Sequence, residues 1–181
     1  VLNKMAQTYD FTEGSILKKM LLFSWPIFLT NILQISYQFI DSLWVGNLLG
    51  SSGLGAVSLS APIIFTVLSF VIGLNAASLT ILSQAKGASD DNRLKKSLNA
   101  FVVLISILSI AFGIIGFFMS APILRLLSTP ENLLPLAKPY LQIHFLGIVF
   151  LFGYNFIATV LRALGDSKTP LRFVLFAVIL N

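Results

Sequence analysis

The feature that most constrains this chain is the spacing of its charged residues. Between Met20 and Ala85 the only formal charge is Asp41, and the intervals 97–124 and 139–161 carry none. Each interval holds at least the roughly 20 apolar residues that a helix needs to cross about 30 Å of hydrocarbon. The sequence therefore predicts a chain that crosses a membrane several times.

The composition excludes the other broad classes of protein. Of the 181 residues, 56% are apolar and 10% are charged, whereas about a quarter of the residues in a soluble domain are charged. Disorder requires low hydrophobicity and high net charge, which sixteen Phe residues contradict. The apolar segments are continuous and lack strict alternation, which favours helices over barrel strands. We predict an all-α, polytopic transmembrane helix bundle.

The apolar intervals define the expected spans. We predict four complete spans at about residues 17–45, 54–84, 97–120 and 140–162. The first two are separated by turn-forming residues at 46–53, with the sequence GNLLGSSG. A fifth span begins near residue 170 and reaches residue 181, a run too short to cross a bilayer. We therefore expect this chain to be part of a longer protein, whose further helices complete the bundle.

The basic residues predict the orientation. Ten of the twelve Lys and Arg residues belong to the amino-terminal segment and first turn of the first span, to the loop after the second span, or to the end of the fourth span and the loop after it. By the positive-inside rule this places the amino terminus in the cytoplasm, in a multi-pass protein of the inner (plasma) membrane. The same asymmetry accounts for the net charge of +5, so the expected partner is the lipid bilayer and no nucleic acid. The two remaining cations are Arg125 and Lys138.

The first span carries a polar face. Reading back from Asp41 in helical steps gives Tyr37, Gln34 and Thr30 on one side of the helix. A carboxylate facing lipid costs roughly 2.5 to 3.5 kcal/mol, so this face is expected to look toward protein or a water-filled cavity. An intramembrane acid predicts a site for a proton or a cation, and Na⁺ is a candidate for the cation bound by Asp41. A buried Asp that only hydrogen-bonds neighbouring amides for packing remains the alternative.

Two further residues are candidates for function. Pro26, in the same span as Asp41, removes one backbone hydrogen bond and predicts a kink or hinge. Asn155, in the fourth span, either lines the cavity or joins two helices by a hydrogen bond. The chain has no Cys and no catalytic sequence pattern, so we expect neither enzymatic activity nor a cofactor.

Three motifs resemble one transporter family. The string FIDSLWVG at residues 39–46 is similar to the end of the first helix of multidrug and toxic compound extrusion (MATE) transporters. RALGDSKTP at 162–170 resembles the loop between helices four and five of that family. QAKGA at 84–88, followed by Asp91 and Arg93, resembles the loop after helix two. Matches in the same order and spacing run from about residue 12 to residue 181.

The resemblance implies a fold and a function that composition cannot give. MATE transporters have twelve helices in two six-helix lobes, so this chain would be about four and a half helices of the amino-terminal lobe. They expel cationic or aromatic compounds in exchange for H⁺ or Na⁺. In the prokaryotic branch with an aspartate in helix one, Asp41 matches the coupling residue and Pro26 a proline linked to helix bending. Asn155 matches a cavity residue, and Asn181 matches an Asn that precedes a second acid.

From both lines of reasoning we expect a multidrug antiporter. Asp41 and Asn181 are the predicted ion-coupling residues, and Gln34, Tyr37 and Asn155 the predicted polar contacts of the drug cavity. A flippase for lipid-linked oligosaccharides, from the same superfamily, is the first alternative, although no span has the interior Lys or Arg that a pyrophosphate would require. A truncated, non-transporting membrane partner is the second alternative.

Overall fold

The structure, a computed structural model, describes residues 15–180 and contains four helical elements. No strand occurs among these residues, which confirms the all-α fold. The first three helices are long and apolar enough to cross a membrane, so the chain is a multi-pass membrane protein. The elements are α1 (Ile16–Gly87), α2 (Asp91–Leu126), α3 (Leu134–Ala163) and α4 (Lys168–Leu180).

The 72-residue α1 consists of two helices joined at Gly50. Gly50 has φ 65° and ψ −159°, a backbone conformation available only to glycine. A Cβ added at Gly46 would lie 2.7 Å from Cδ1 of Leu54. Eight residues of straight helix span about 12 Å, so this contact requires the chain to turn back on itself. α1 is therefore a helical hairpin. Of the predicted turn residues 46–53, only Gly50 departs from the helical conformation.

The other helices extend beyond the predicted apolar spans. α2 begins at Asp91, six residues before the predicted start, and continues through Pro122 to Leu126. α3 begins at Leu134 and contains Pro139. Hydropathy marks only the hydrocarbon-crossing part of a helix, because its polar first and last turns lie in the interface.

Three helix ends share one hydrogen-bonding pattern, the Schellman motif. After α3, Gly165 adopts φ 89° and donates its N–H to Arg162 O, while Asp166 N–H donates to Leu161 O at 2.8 Å. The same pair of bonds closes α1 and α2, but there the left-handed residue is Ser89 or Ser128, with φ 54° and 56°. Two serines therefore occupy positions where glycine has lower backbone strain.

Two aspartates join the end of one helix to the start of the next. Asp166 is 3% exposed, and its Oδ1 accepts from the backbone N–H of Lys168 and of Thr169, each at 3.0 Å. The Thr169 hydroxyl donates to Asp166 Oδ2 at 2.5 Å. Asp90 likewise accepts from Arg93 N–H at 2.9 Å. Each carboxylate satisfies donors at a helix amino terminus, which fixes the length of the connection.

The chain divides into two compact units, and the described residues of the first are 15–40, 75–100 and 156–180. Its described core is built mainly from small side chains, together with Leu82, Val174 and the ring of Phe156. Small residues at helix contacts let backbones approach closely, as is usual inside membranes. The buried small residues of this unit include Ser78, Ala85, Ala158 and Ala163.

The second unit comprises residues 41–74 and 101–155, and its core combines aliphatic and small side chains with the buried rings of Phe145 and Phe152. The ring of Phe112 lies between those of Phe70 and Phe152, with centroid distances of 5.3 and 5.9 Å. Phe145 packs on Gly116 so closely that a Cβ there would lie 2.1 Å from its ring. These contacts hold α2 and α3 against each other in an antiparallel arrangement.

Candidate functional site

The polar face of α1 is partly shielded in the structure. The residues that lie between the polar residues of this face, such as Ile35, are largely exposed. This alternation follows the helical spacing of the sequence, so one stripe of α1 is turned away from the surroundings. The half-buried polar residues of the stripe are Thr30, Gln34, Tyr37 and Asp41.

Asp41 is the only charged residue of this stripe. Its neighbours Leu43 and Trp44 are 51% and 56% exposed, as lipid-facing side chains are, whereas Asp41 is half-buried. The carboxylate thus lies on the side of the helix where it avoids the cost of facing hydrocarbon. A carboxylate in such a place can accept a proton or coordinate a cation.

Tyr140, near the start of α3, lies within the electrostatic field of the Asp41 carboxylate, and both residues belong to the second unit. The ring of His144 lies one turn further along α3, 6.5 Å from that of Tyr140. A phenol both donates and accepts hydrogen bonds, and an imidazole does the same when neutral. Tyr140 and His144 therefore lie one turn apart on α3, and the first of them is within electrostatic range of Asp41.

Sequence reasoning alone missed Tyr140. A tyrosine at the end of an apolar span is typical of the membrane interface, where aromatic rings are enriched for general reasons. The register of Tyr140 with His144, one helical turn away, can be read from the sequence. Its electrostatic proximity to Asp41 follows from tertiary structure and not from local sequence.

Asn155 also belongs to the second unit and is half-buried on α3. Its Nδ2 donates to Leu151 O at 2.8 Å, a bond to the preceding turn of its own helix. The side-chain amide therefore lies along the helix surface, with its nitrogen engaged by the backbone. Its role as a cavity residue stays a prediction.

Pro26 is buried, and α1 continues through it without a non-helical residue. The Thr30 hydroxyl donates to Pro26 O at 2.7 Å, a bond of the kind that often bends helices slightly. Within the described residues of α1, the backbone leaves the helical conformation only at Gly50. The hinge function of Pro26 stays a prediction.

Of the remaining predicted residues, Gln34 and Tyr37 lie on the same stripe of α1 as Asp41, seven and four residues before it. Gln34 and Tyr37 belong to the first unit, as Pro26 does. Asn181 lies outside the described residues. Among residues 15–180 there is no cluster of three or more His, Cys, Asp or Glu side chains.

Comparison with known proteins gives one consistent result. The family model described as MatE matches residues 26–181. The probable multidrug resistance protein YpnP of Bacillus subtilis is 64% identical over 175 residues, which are 97% of this chain and 39% of that protein. The probable multidrug resistance protein YoeA of the same organism is 35% identical over 174 residues, which are 96% of this chain and 38% of that protein.

The fold also matches a solved structure. A MOP superfamily transporter from Pyrococcus furiosus superposes with a TM-score of 0.86 at 22% sequence identity, covering 92% of this chain and 37% of that one. The chain therefore spans about two fifths of the length of the curated relatives and solved structures that it matches.

Proposed function

This chain belongs to the MatE family, and we propose that it forms the amino-terminal lobe of a secondary active transporter that exports drugs. The substrates we propose are cationic or aromatic compounds, exchanged for H⁺ or Na⁺ across the inner (plasma) membrane, with the amino terminus in the cytoplasm. The names of its relatives, which describe probable multidrug resistance proteins, support this proposal.

One observation carries the proposed coupling step. Asp41 is an acid within a membrane-spanning helix, turned away from its exposed neighbours and lying in electrostatic range of Tyr140. An ionisable side chain within a membrane-spanning helix raises the free energy of the inserted protein, so such a residue indicates a functional role. We assign proton or Na⁺ loading to Asp41, with Asn181 as a second contributor.

The mechanism we propose is alternating access. Loading of an ion at Asp41 changes the local charge and favours one packing of the helices over another, with Pro26 as the hinge of α1. Gln34, Tyr37 and Asn155 supply polar contacts to the drug, and the remaining helices of the protein supply the other wall. Exchange of ion for drug requires that each ligand bind one of the two conformations more tightly than the other conformation.

The test is ethidium efflux by the full-length protein, measured separately under an imposed proton gradient and an imposed sodium gradient. We expect transport to follow one gradient and to be lost in Asp41→Asn, while Asp91→Asn, an exposed acid at the start of α2, transports normally. Normal efflux by Asp41→Asn would remove Asp41 from the mechanism. If the wild-type protein moves no cation under either gradient, the antiporter proposal is wrong and the flippase alternative takes its place.

A further inference from the structure

An apolar groove of about 280 Å³ lies between α2 and α3 in the second unit. It is open to one side, and every residue that lines it is apolar. Its lining includes Gly113, the buried side chain of Phe145 and the exposed side chain of Phe118. The other lining residues are Ile110, Ile114, Phe117, Leu146 and Val149.

The contacts between α2 and α3 show the relative direction of the two helices along the groove. Gln142 Nε2 donates to Phe117 O at 3.3 Å, and a Cβ at Gly113 would lie 3.3 Å from Phe145 O. As the residue number rises on α2 it falls on α3, so the helices are antiparallel. The groove therefore runs toward the connection formed by residues 127–133.

Two cations stand at that end of the groove. Arg125 follows Phe118 by seven residues on α2, and Lys138 precedes Phe145 by seven residues on α3. Seven residues are almost two helical turns, so each cation lies on the same face as a groove-lining Phe, about 10 Å further along the axis. Both side chains are exposed, and no ion pair of either cation is found in the described part of the chain.

The charge at this end is positive overall. Of the residues from 101 to 155, Arg125 and Lys138 are the only cations and Glu131, in the connecting loop, is the only acid. An apolar channel within the bilayer that ends at two cations near its surface has the chemistry of one membrane component, an acyl chain attached to an anionic headgroup. Lys and Arg near a bilayer attract anionic lipid.

We propose that this groove binds an anionic phospholipid from the leaflet on the side of residues 127–133. One acyl chain lies between α2 and α3 against Phe145, and the phosphate is held by Arg125 and Lys138. The site is distinct from Asp41 and does not depend on the identity of the transported compound. Its proposed effect is to fix the packing of α2 on α3.

The test is native mass spectrometry of the full-length protein titrated with phosphatidylglycerol or with phosphatidylcholine. The wild-type protein is expected to bind phosphatidylglycerol more tightly. Because each cation near a charged surface contributes about fivefold in affinity, the double variant Arg125→Gln/Lys138→Gln is expected to bind phosphatidylglycerol about thirtyfold more weakly. Lys95→Gln/Lys96→Gln, two exposed cations at the start of α2, is the matched control and should bind as the wild type does.

A second pair of variants tests the acyl chain. Val149→Trp fills the groove from an exposed position, while Val103→Trp makes the same substitution at an exposed position outside it. The first is expected to lose phosphatidylglycerol binding and the second to keep it, with thermal unfolding reporting that both are folded. Equal binding of the two lipids, or unchanged binding in the double cation variant or in Val149→Trp, overturns the proposal.

Discussion

The ring of Tyr140 lies 6.5 Å from that of His144, one turn further along α3. The Asp41 carboxylate, on a helix that ends before α3 begins, lies within electrostatic range of the Tyr140 hydroxyl. On the proposed mechanism, an ion that neutralises Asp41 would therefore change the electrostatic surroundings of Tyr140 as well as those of α1.

Removing the Tyr140 hydroxyl should weaken ion-dependent transport without abolishing it. Tyr140→Phe keeps the ring and its contact with His144, and a lost polar interaction of about 1 kcal/mol corresponds to roughly fivefold lower apparent ion affinity. The measurement is the ion concentration for half-maximal efflux. Tyr154→Phe, a half-buried tyrosine on the same helix, is the control, and an identical shift in both variants would argue against a specific role for Tyr140.

Gly50 should not tolerate a side chain. With φ 65° and ψ −159°, Gly50→Ala is expected to lower the free energy of unfolding by about 1–3 kcal/mol, because L residues are strained there. Gly73 lies inside a helix with open space around its Cβ position, so Gly73→Ala should be neutral or stabilising. Thermal unfolding of the two variants in the same detergent gives the comparison, and equal stability would contradict the hairpin geometry.

Gly116 should show a size limit that depends on Phe145. A Cβ at Gly116 would overlap the Phe145 ring, so Gly116→Ala is expected to destabilise the protein by about 1–3 kcal/mol through overpacking. Phe145→Leu in the same chain should recover part of that loss, which a double-mutant cycle measures. Gly147→Ala, where the Cβ meets nothing, serves as the control, and strictly additive effects would show that the two residues do not interact.

Asp166 should be important for stability. Asp166→Ala removes the acceptor of two backbone N–H groups at the start of α4, and loss of such a cap typically costs about 1 kcal/mol. Asp91→Ala, an exposed acid in the first turn of α2, should have a smaller effect. If the two variants unfold at the same temperature, the cap does not stabilise the loop.

Replacing Ser128 with glycine should stabilise the protein. Its φ of 56° is left-handed, so Ser128→Gly relieves strain and is expected to raise the free energy of unfolding by about 0.5–1 kcal/mol. Ser106→Gly, at an exposed position inside α2, should instead destabilise by a similar amount. A loss of stability in Ser128→Gly would contradict the helix-end geometry found here.

The sequence was sufficient for the features that depend on the bilayer alone. Charge-free intervals predicted membrane-crossing helices, and helical spacing predicted the stripe that contains Gln34 and Asp41. The sequence was insufficient for features that depend on which helices pack against each other. The electrostatic proximity of Asp41 to Tyr140 and the packing of Phe145 on Gly116 involve residues far apart in the chain, and no local pattern encodes them.

The turn at Gly50 joins the two halves of α1 through a single non-helical residue, without a loop between them. Since no charged residue lies between 42 and 85, neither half has a polar loop that must be translocated on its own. During biosynthesis the two halves can therefore enter the bilayer together, as a preformed pair. By the positive-inside rule, Lys18 and Lys19 near the start of α1 and Lys86 near its end are expected to keep both ends of this pair on the same side of the membrane.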